Sequence, residues 1–324
     1  MLAYIIKRIL YAIPILIGVN LITFMLFFMV NTPDDMARAQ LGAKQTTPAM
    51  IAAWKAEKGY DKPLFYNAGA SGTEKLTDTL FVNESLKLFW FDFGLSDANR
   101  NIAEDIRARM GPSLAIALPT FLIALVTNIS LALLLVLFRG SVLDISAMVI
   151  AVMIMSVSGL FYIIAGQVLF SKLWHWVPIS GFESGWAGVK FVLLPVAIGV
   201  FAGLGSGVRW YRSIFLEQIN QDYVRTARAK GLSEIAVLFR HVLPNGMLPI
   251  LTGVVVIIPS LFMGSLIMES FFGIPGLGSY TIDAINAQDF AIVKAMVFLG
   301  SVLYILGLIL TDISYTLFDP RVTL

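Results

Sequence analysis

Six apolar runs, residues 9–30, 113–138, 145–171, 191–208, 247–268 and 295–311, contain no Asp, Glu, Lys or Arg. Rising about 1.5 Å per residue as helices, they match or approach the roughly 30 Å hydrocarbon core of a bilayer. The pattern predicts an all-α polytopic membrane protein with six transmembrane helices. Run 191–208 is near the lower limit of length and rich in glycine. The first run is longer than a signal-peptide core and no small-residue cleavage site follows it, so it is expected to be retained. Pro14, Pro119, Pro195, Pro249 and Pro259 fall inside or at the edge of spans. Neighbouring groups can satisfy the carbonyls they free, and bends lining a path are the alternative.

The polar stretches between the runs are unequal. Residues 1–30 give the N-terminus and first span, 31–112 a long insert, and 113–324 a core of five spans with a polar loop at 209–246. Within the insert, Thr47 as cap, Pro48 at the first position and Gly59 as stop predict one well-bounded helix. Residues 69–72 suggest a flexible turn, and 102–110 a short amphipathic helix feeding the second span. Positive charge is uneven: Lys7 and Arg8 precede the first span, Arg139 follows the second, and Arg209, Arg212, Arg225, Arg228, Lys230 and Arg240 crowd the loop before the fifth. Segment 270–293 has no Lys or Arg. The positive-inside rule then places both termini in the cytoplasm and the insert outside. The insert reads equally as a structural cap on the outer face or as a surface that meets substrate.

The loop carries the most chemistry. Asp222 can cap a helix over 223–230, Lys230 suits its C-terminal end and Gly231 can take the left-handed conformation that stops it. A helix this short does not hold alone in water and must lean on something. Ala227 and Ala229 keep it narrow, while Arg225, Arg228 and Lys230 offer cations to a partner. A second helical pattern, 235–242, is expected to end at Leu243-Pro244. The same composition also suits an ordinary basic loop.

Composition narrows the functions further. Of 324 residues 58% are hydrophobic and 14% charged, with mean hydropathy +0.82, far from a soluble domain. There is no cysteine and only two histidines, so no metal centre is expected and histidine-based catalysis is short of residues. A net charge of +2 gives no argument for nucleic acid. Spans without ionisable groups lack what a coupled carrier uses to hold its driving ion. No Gly-Lys pair exists, so the phosphate-cradling loop that binds ATP is absent. Uphill transport would need energy from another subunit.

Five stretches resemble the peptide-permease branch of ATP-binding-cassette (ABC) importers. Gly231, nine residues, then His241-Val242-Leu243-Pro244 follows the spacing of the importers' loop signature, with Ala227 at its second alanine; Arg225, Thr226 and His241 depart from the general form. Glu269, Phe272 and Pro275-Gly276-Leu277-Gly278 resemble the family's outer-loop motif, and Asp312, Tyr315 and Asp319-Pro320-Arg321-Val322 its closing one. Gly59-Tyr60-Asp61-Lys62-Pro63 and Asp92-Phe93-Gly94-Leu95-Ser96 are similar to N-terminal phrases. Asn31-Thr32-Pro33-Asp34, a polar insertion near 67–83 and a second span lacking the family's usual glycines are departures that bear on substrate identity.

The resemblance implies a type I importer permease in a bacterial inner membrane, not an enzyme itself. Its partners would be a second homologous permease, two cytoplasmic ATPases that bind ATP and Mg, an extracytoplasmic solute-binding protein, and membrane lipid. Asp222, Tyr223, Arg225, Thr226, Ala227, Arg228, Gly231, Leu243 and Pro244 would form the ATPase-coupling loop, and Glu269, Pro275, Gly276 and Gly278 an outer loop or gate. Peptides are the expected cargo, with nickel chelates or another small polar solute as alternatives. An ATP-independent channel or carrier, or a membrane anchor for a cytoplasmic complex, are rival readings.

Overall fold

The computed structural model describes residues 2–42 and 46–318; the closing Asp319-Pro320-Arg321-Val322 and the side chain of Tyr315 lie outside this description. Among the described residues the regular structure is helical, apart from one isolated antiparallel bridge between Leu95 and Asn101. Five helices are long and apolar enough to cross a membrane: Ile6–Val30, Ile102–Leu137, Trp186–Ile219, Glu234–Met263 and Phe290–Ser314. The third apolar run is different. It forms two helices, Val142–Ser156 and Gly159–Leu173, bent by 88° and counted as a sixth crossing when taken together.

In chain order the helices used below are α1 Leu2–Met25, α2 Pro33–Leu41, α3 Pro48–Lys58, α4 Ile102–Leu137, α5 Val142–Ser156, α6 Gly159–Gly166, α7 Val189–Ile219, α8 Asp222–Ala229, α9 Glu234–Val237, α10 Leu243–Ile257, α11 Leu266–Phe272, α12 Leu277–Ala287 and α13 Phe290–Phe318. Residues up to Arg109 together with Tyr280–Leu306 make one compact unit; Met110–Ser279 with the chain from Gly307 make a second.

In the first unit the insert packs against α1. Phe24 and Phe28 share a buried cluster with Met36, Ala37, Ile51, Trp54 and Leu80. Local signals fix the short helices that supply those residues. Thr32 and Asp35 cap α2 reciprocally, and α3 is bounded as its sequence predicts, with the Thr47 side chain accepting from Met50 N–H and Gly59 at φ 71.

Helix α4 departs from expectation. Residues 102–110 are not a separate feeder but the first turns of a single 36-residue helix running through Pro112 and Pro119. Its start is set by Asn101, whose Oδ1 accepts from the N–H groups of Ala103 and Glu104. A proline removes one ladder bond, which a helix braced on both sides tolerates.

The second unit holds the bend after α5. Val157 is extended, at φ −93 and ψ 134, and the Tyr162 hydroxyl donates to the carbonyl of Ile154 at 2.8 Å, covering a group that the break leaves without its ladder donor. Helix α7 extends eleven residues beyond the apolar run, to Ile219, so Arg209 and Arg212 belong to a helix rather than to a loop. It packs backbone to backbone on α5 at Gly205, where a Cβ would stand 2.5 Å from the carbonyl oxygen of Ala151; small residues permit such approach between spans. At the base of this pair Arg212 grips Asp144 with two hydrogen bonds, of 2.8 and 2.7 Å.

Candidate functional site

Helix α8 is real but begins one residue earlier than its sequence suggests. Gln221 occupies the capping position with no side-chain cap bond, and Asp222 is the first helical residue. Asp222 therefore acts through its charge at the helix N-terminus rather than as the cap. The helix leans inward as its length requires. Val224 and Ala227 are buried with Phe215, Ile219, Val237, Leu238 and Val242 in a core that also includes Ala132, Leu133 and Val136 of α4 and Ile250 of α10. Burying the Val224 side chain contributes about 1.5–3 kcal/mol, which fixes a helix too short to persist by itself.

The outward face is polar. Arg225, paired with Asp222 at 3.3 Å, is exposed over 74% of its side chain; Thr226 and Lys230 are exposed beside it. Arg228 is used differently from its neighbour. Its guanidinium reaches across the turn to Glu234 with bonds of 2.7 and 3.0 Å, so it closes the loop on itself instead of being held out to a partner. Gly231 has φ 79, and a Cβ there would meet nothing within 4 Å; the glycine is required by backbone conformation alone. Tyr223 donates to the Gln218 side chain at 2.8 Å, tying α8 to the end of α7.

Past Gly231 the chain does not stop at Pro244. Ser233 caps α9, a π turn covers Leu238–Val242, and α10 continues from Leu243 with Pro244 in its first turn. Glu234–Met263 is one long helix as a result. Proline is accommodated because the π turn has already shifted the ladder, and Asn245 Nδ2 donates to the carbonyl of His241 at 2.7 Å, giving that group a partner. The turn after α8 thus leads straight into the fifth span. Leu243 packs against the buried cluster.

The second predicted group converges on a carboxylate. Glu269 on α11 is 1% exposed. Its Oε1 accepts from the Ser113 hydroxyl at 2.8 Å and from Ser265 N–H at 3.2 Å; Oε2 accepts from Ser279 N–H at 3.1 Å, and Gly278 N–H also points to the carboxylate. Ser113 in turn accepts from Leu277 N–H at 2.8 Å. Burial pushes the Glu269 carboxyl above its usual range, against the lowering effect of these donors.

The glycines in Pro275-Gly276-Leu277-Gly278 serve a purpose the sequence did not reveal. Neither adopts positive φ. A Cβ at Gly276 would run into the Glu269 carboxylate and the Ser113 hydroxyl, and one at Gly278 would stand 2.6 Å from the backbone of Ser265. They are small so that a loop can close around a carboxylate. Pro275 sits at the tip of the turn, with Gly276 N–H bonded to the Ile274 carbonyl at 2.8 Å. Ser113 is the residue that sequence reasoning missed, since nothing local marks a serine 156 positions from its partner. A cavity of about 390 Å³ adjoins this knot, walled by Ser113, Thr120, Pro195, Gly199, Ser260 and Glu269.

Residues 129–324 match the family described as the inner membrane component of binding-protein-dependent transport systems, and residues 1–69 match the N-terminal region of such components. The chain belongs to this family. It is 32% identical, over 99% of each chain, to a Brucella suis biovar 1 protein provisionally named as a peptide transport system permease. It is 30% identical to the oligopeptide transport system permease protein of Bacillus subtilis strain 168 and 28% identical to the dipeptide transport system permease protein of Escherichia coli K12, again over 99% of both chains. The permease is accordingly a multi-pass transport subunit and not itself an enzyme.

Proposed function

We propose that this permease forms one half of the translocation pathway of an ATP-driven importer whose cargo is peptides. The names of its relatives support the cargo. The coupling role rests on one observation: α8 buries Val224 and Ala227 while presenting Arg225, Thr226 and Lys230 outward, at the foot of a helix that becomes the fifth span. In this reading a second, homologous permease completes the pathway and a solute-binding protein delivers cargo at the insert side. Two cytoplasmic ATPases bind ATP and Mg, this chain seating one of them on α8. Both termini lie in the cytoplasm of a bacterium whose inner membrane holds the complex. The cavity beside Glu269 is part of the path, and Glu269, Pro275, Gly276 and Gly278 hold its gate in shape.

Closure of the ATPases would push on α8, and the continuous Glu234–Met263 helix would carry that push into the span as a two-state swing. The first test is co-purification of partners from the native membrane. Arg225→Glu, which alters only the outward face, is expected to reduce recovered ATPase about tenfold while the second permease still co-purifies; unchanged recovery would remove α8 from the interface. Gly231→Val forces a β-branched residue into φ 79, a strain of about 1–2 kcal/mol or more. It should lower transport by the reconstituted complex several-fold with ATP hydrolysis preserved. Transport by this chain alone would favour a channel.

A further inference from the structure

The insert contacts two helix faces at equal spacing. On α1 and the π turn Leu26–Val30 that continues it, Asn20 Nδ2 donates to the carbonyl of Ser85 at 2.9 Å, Phe24 stacks edge-on against Phe81 with centroids 5.2 Å apart, and Phe28 meets Tyr60 at 5.3 Å. On α13, Lys294 pairs with Glu84 at 2.6 Å and Phe298 meets Phe89 at 5.4 Å, while Phe290, one turn above, meets Phe27 of the first span at 6.0 Å. Positions 20, 24, 28 and 290, 294, 298 are successive turns of one face on each helix. From Phe28 to Asn20, as from Phe290 to Phe298, the descent is about 12 Å.

Asn20 and Phe298 lie well inside the membrane-crossing helices Ile6–Val30 and Phe290–Ser314. The chain at 85–89 reaches both. Two of its polar groups have partners at that depth: Asn20 takes the Ser85 carbonyl, and Glu84 has a cation in Lys294, whose side chain is only 6% exposed; the Ser85 hydroxyl is buried without a partner, and Lys87 is exposed. Hydrocarbon demands such pairing of carbonyls and charges. Directly after this segment come Trp90, 78% exposed, and Phe91, 52% exposed. Phe91 has φ 56, a left-handed conformation that is unfavourable for a bulky residue. The backbone turns there by strain, and glycine, which would turn freely, is not used.

We infer that residues 80–91 form a wedge dipping into the membrane leaflet on the insert's side, with Trp90 and Phe91 in contact with lipid acyl chains. The paired depth markers on α1 and α13 commit the occupant to lipid rather than water, and aromatic side chains suit that zone. The wedge also fastens the insert to two spans, so a load on the insert is borne by α1 and α13.

The chain has no cysteine, so one introduced thiol reports alone. Full-length Trp90→Cys and exposed-turn Ser71→Cys proteins would be labelled with an environment-sensitive fluorophore in phosphatidylcholine vesicles. Quenching by acyl-brominated phosphatidylcholine is then compared with quenching by iodide on both sides. Position 90 is expected to be quenched several-fold more by brominated lipid than by iodide, with the order reversed at position 71. Phe91→Cys repeats the reading should Trp90→Cys express poorly. Quenching at 90 by iodide to the extent seen at 71 would place the segment in water, and quenching by neither would place protein over it; each result overturns the proposal.

Discussion

Glu269→Ala is expected to destabilise the permease by about 3–5 kcal/mol, the usual effect of removing one partner from a buried charged network, and to abolish transport. The loss is not confined to one bond. With the carboxylate gone, Ser265, Ser279 and Gly278 N–H groups and the Ser113 hydroxyl are all left inside the protein without their acceptor. Each buried orphan costs about 1–3 kcal/mol before any relaxation. Glu269→Gln preserves volume but turns an amide NH₂ toward at least one of these donors, so it should recover only part of the loss. Ser113→Ala removes a single hydroxyl and should cost about 1–2 kcal/mol. Thermal unfolding of the purified protein in mild detergent ranks the three variants. A Glu269→Ala protein as stable as wild type, with transport intact, would reduce the knot to an incidental contact.

Why the knot was illegible from sequence, while other features were plain, follows from range. Spans are written in runs of apolar residues, and the α3 helix in a cap, a proline and a glycine within a dozen positions, so each was readable locally. The outer-loop motif was recognisable, and even its glycines were noticed. Their reason was not, because it depends on Glu269 from one helix and Ser113 from another filling the space where a Cβ would stand. The same holds for Arg228, whose guanidinium is claimed by Glu234, and for Pro244, where a local rule predicted a stop and a π turn allowed the helix to continue. Run 145–171 has no charged residue to interrupt it, and its only local mark, Ser156-Val157-Ser158-Gly159, is tolerated inside straight spans as well, so the 88° bend at Val157 and Ser158 was not read from it. Hydropathy reports that a segment tolerates lipid and says nothing of its course.

Asp144→Ala should be nearly as damaging as the loss of Glu269, again about 3–5 kcal/mol, because it strands the partly buried Arg212 guanidinium. The Asp144 side chain is 5% exposed and that of Arg212 20%; both carboxylate oxygens are engaged by the fork, and Oδ2 also accepts from Gly140 N–H at 3.0 Å. This geometry makes the pair a cross-brace between the foot of α5 and the lower part of α7. Replacing both partners together, as in Asp144→Leu with Arg212→Met, removes two desolvated charges at once, and most of the stability should return. Stability and transport measured on the same double variant then separate two uses of the pair. If the brace only holds α5 against α7, apolar packing replaces it and transport recovers with stability. If the pair must break and re-form as the two helices move, the double variant is stable but transports poorly, since apolar packing offers no second arrangement of comparable energy. A double variant no more stable than Asp144→Ala would mean that the hydrogen bond from Gly140, not the ion pair, is what Asp144 contributes.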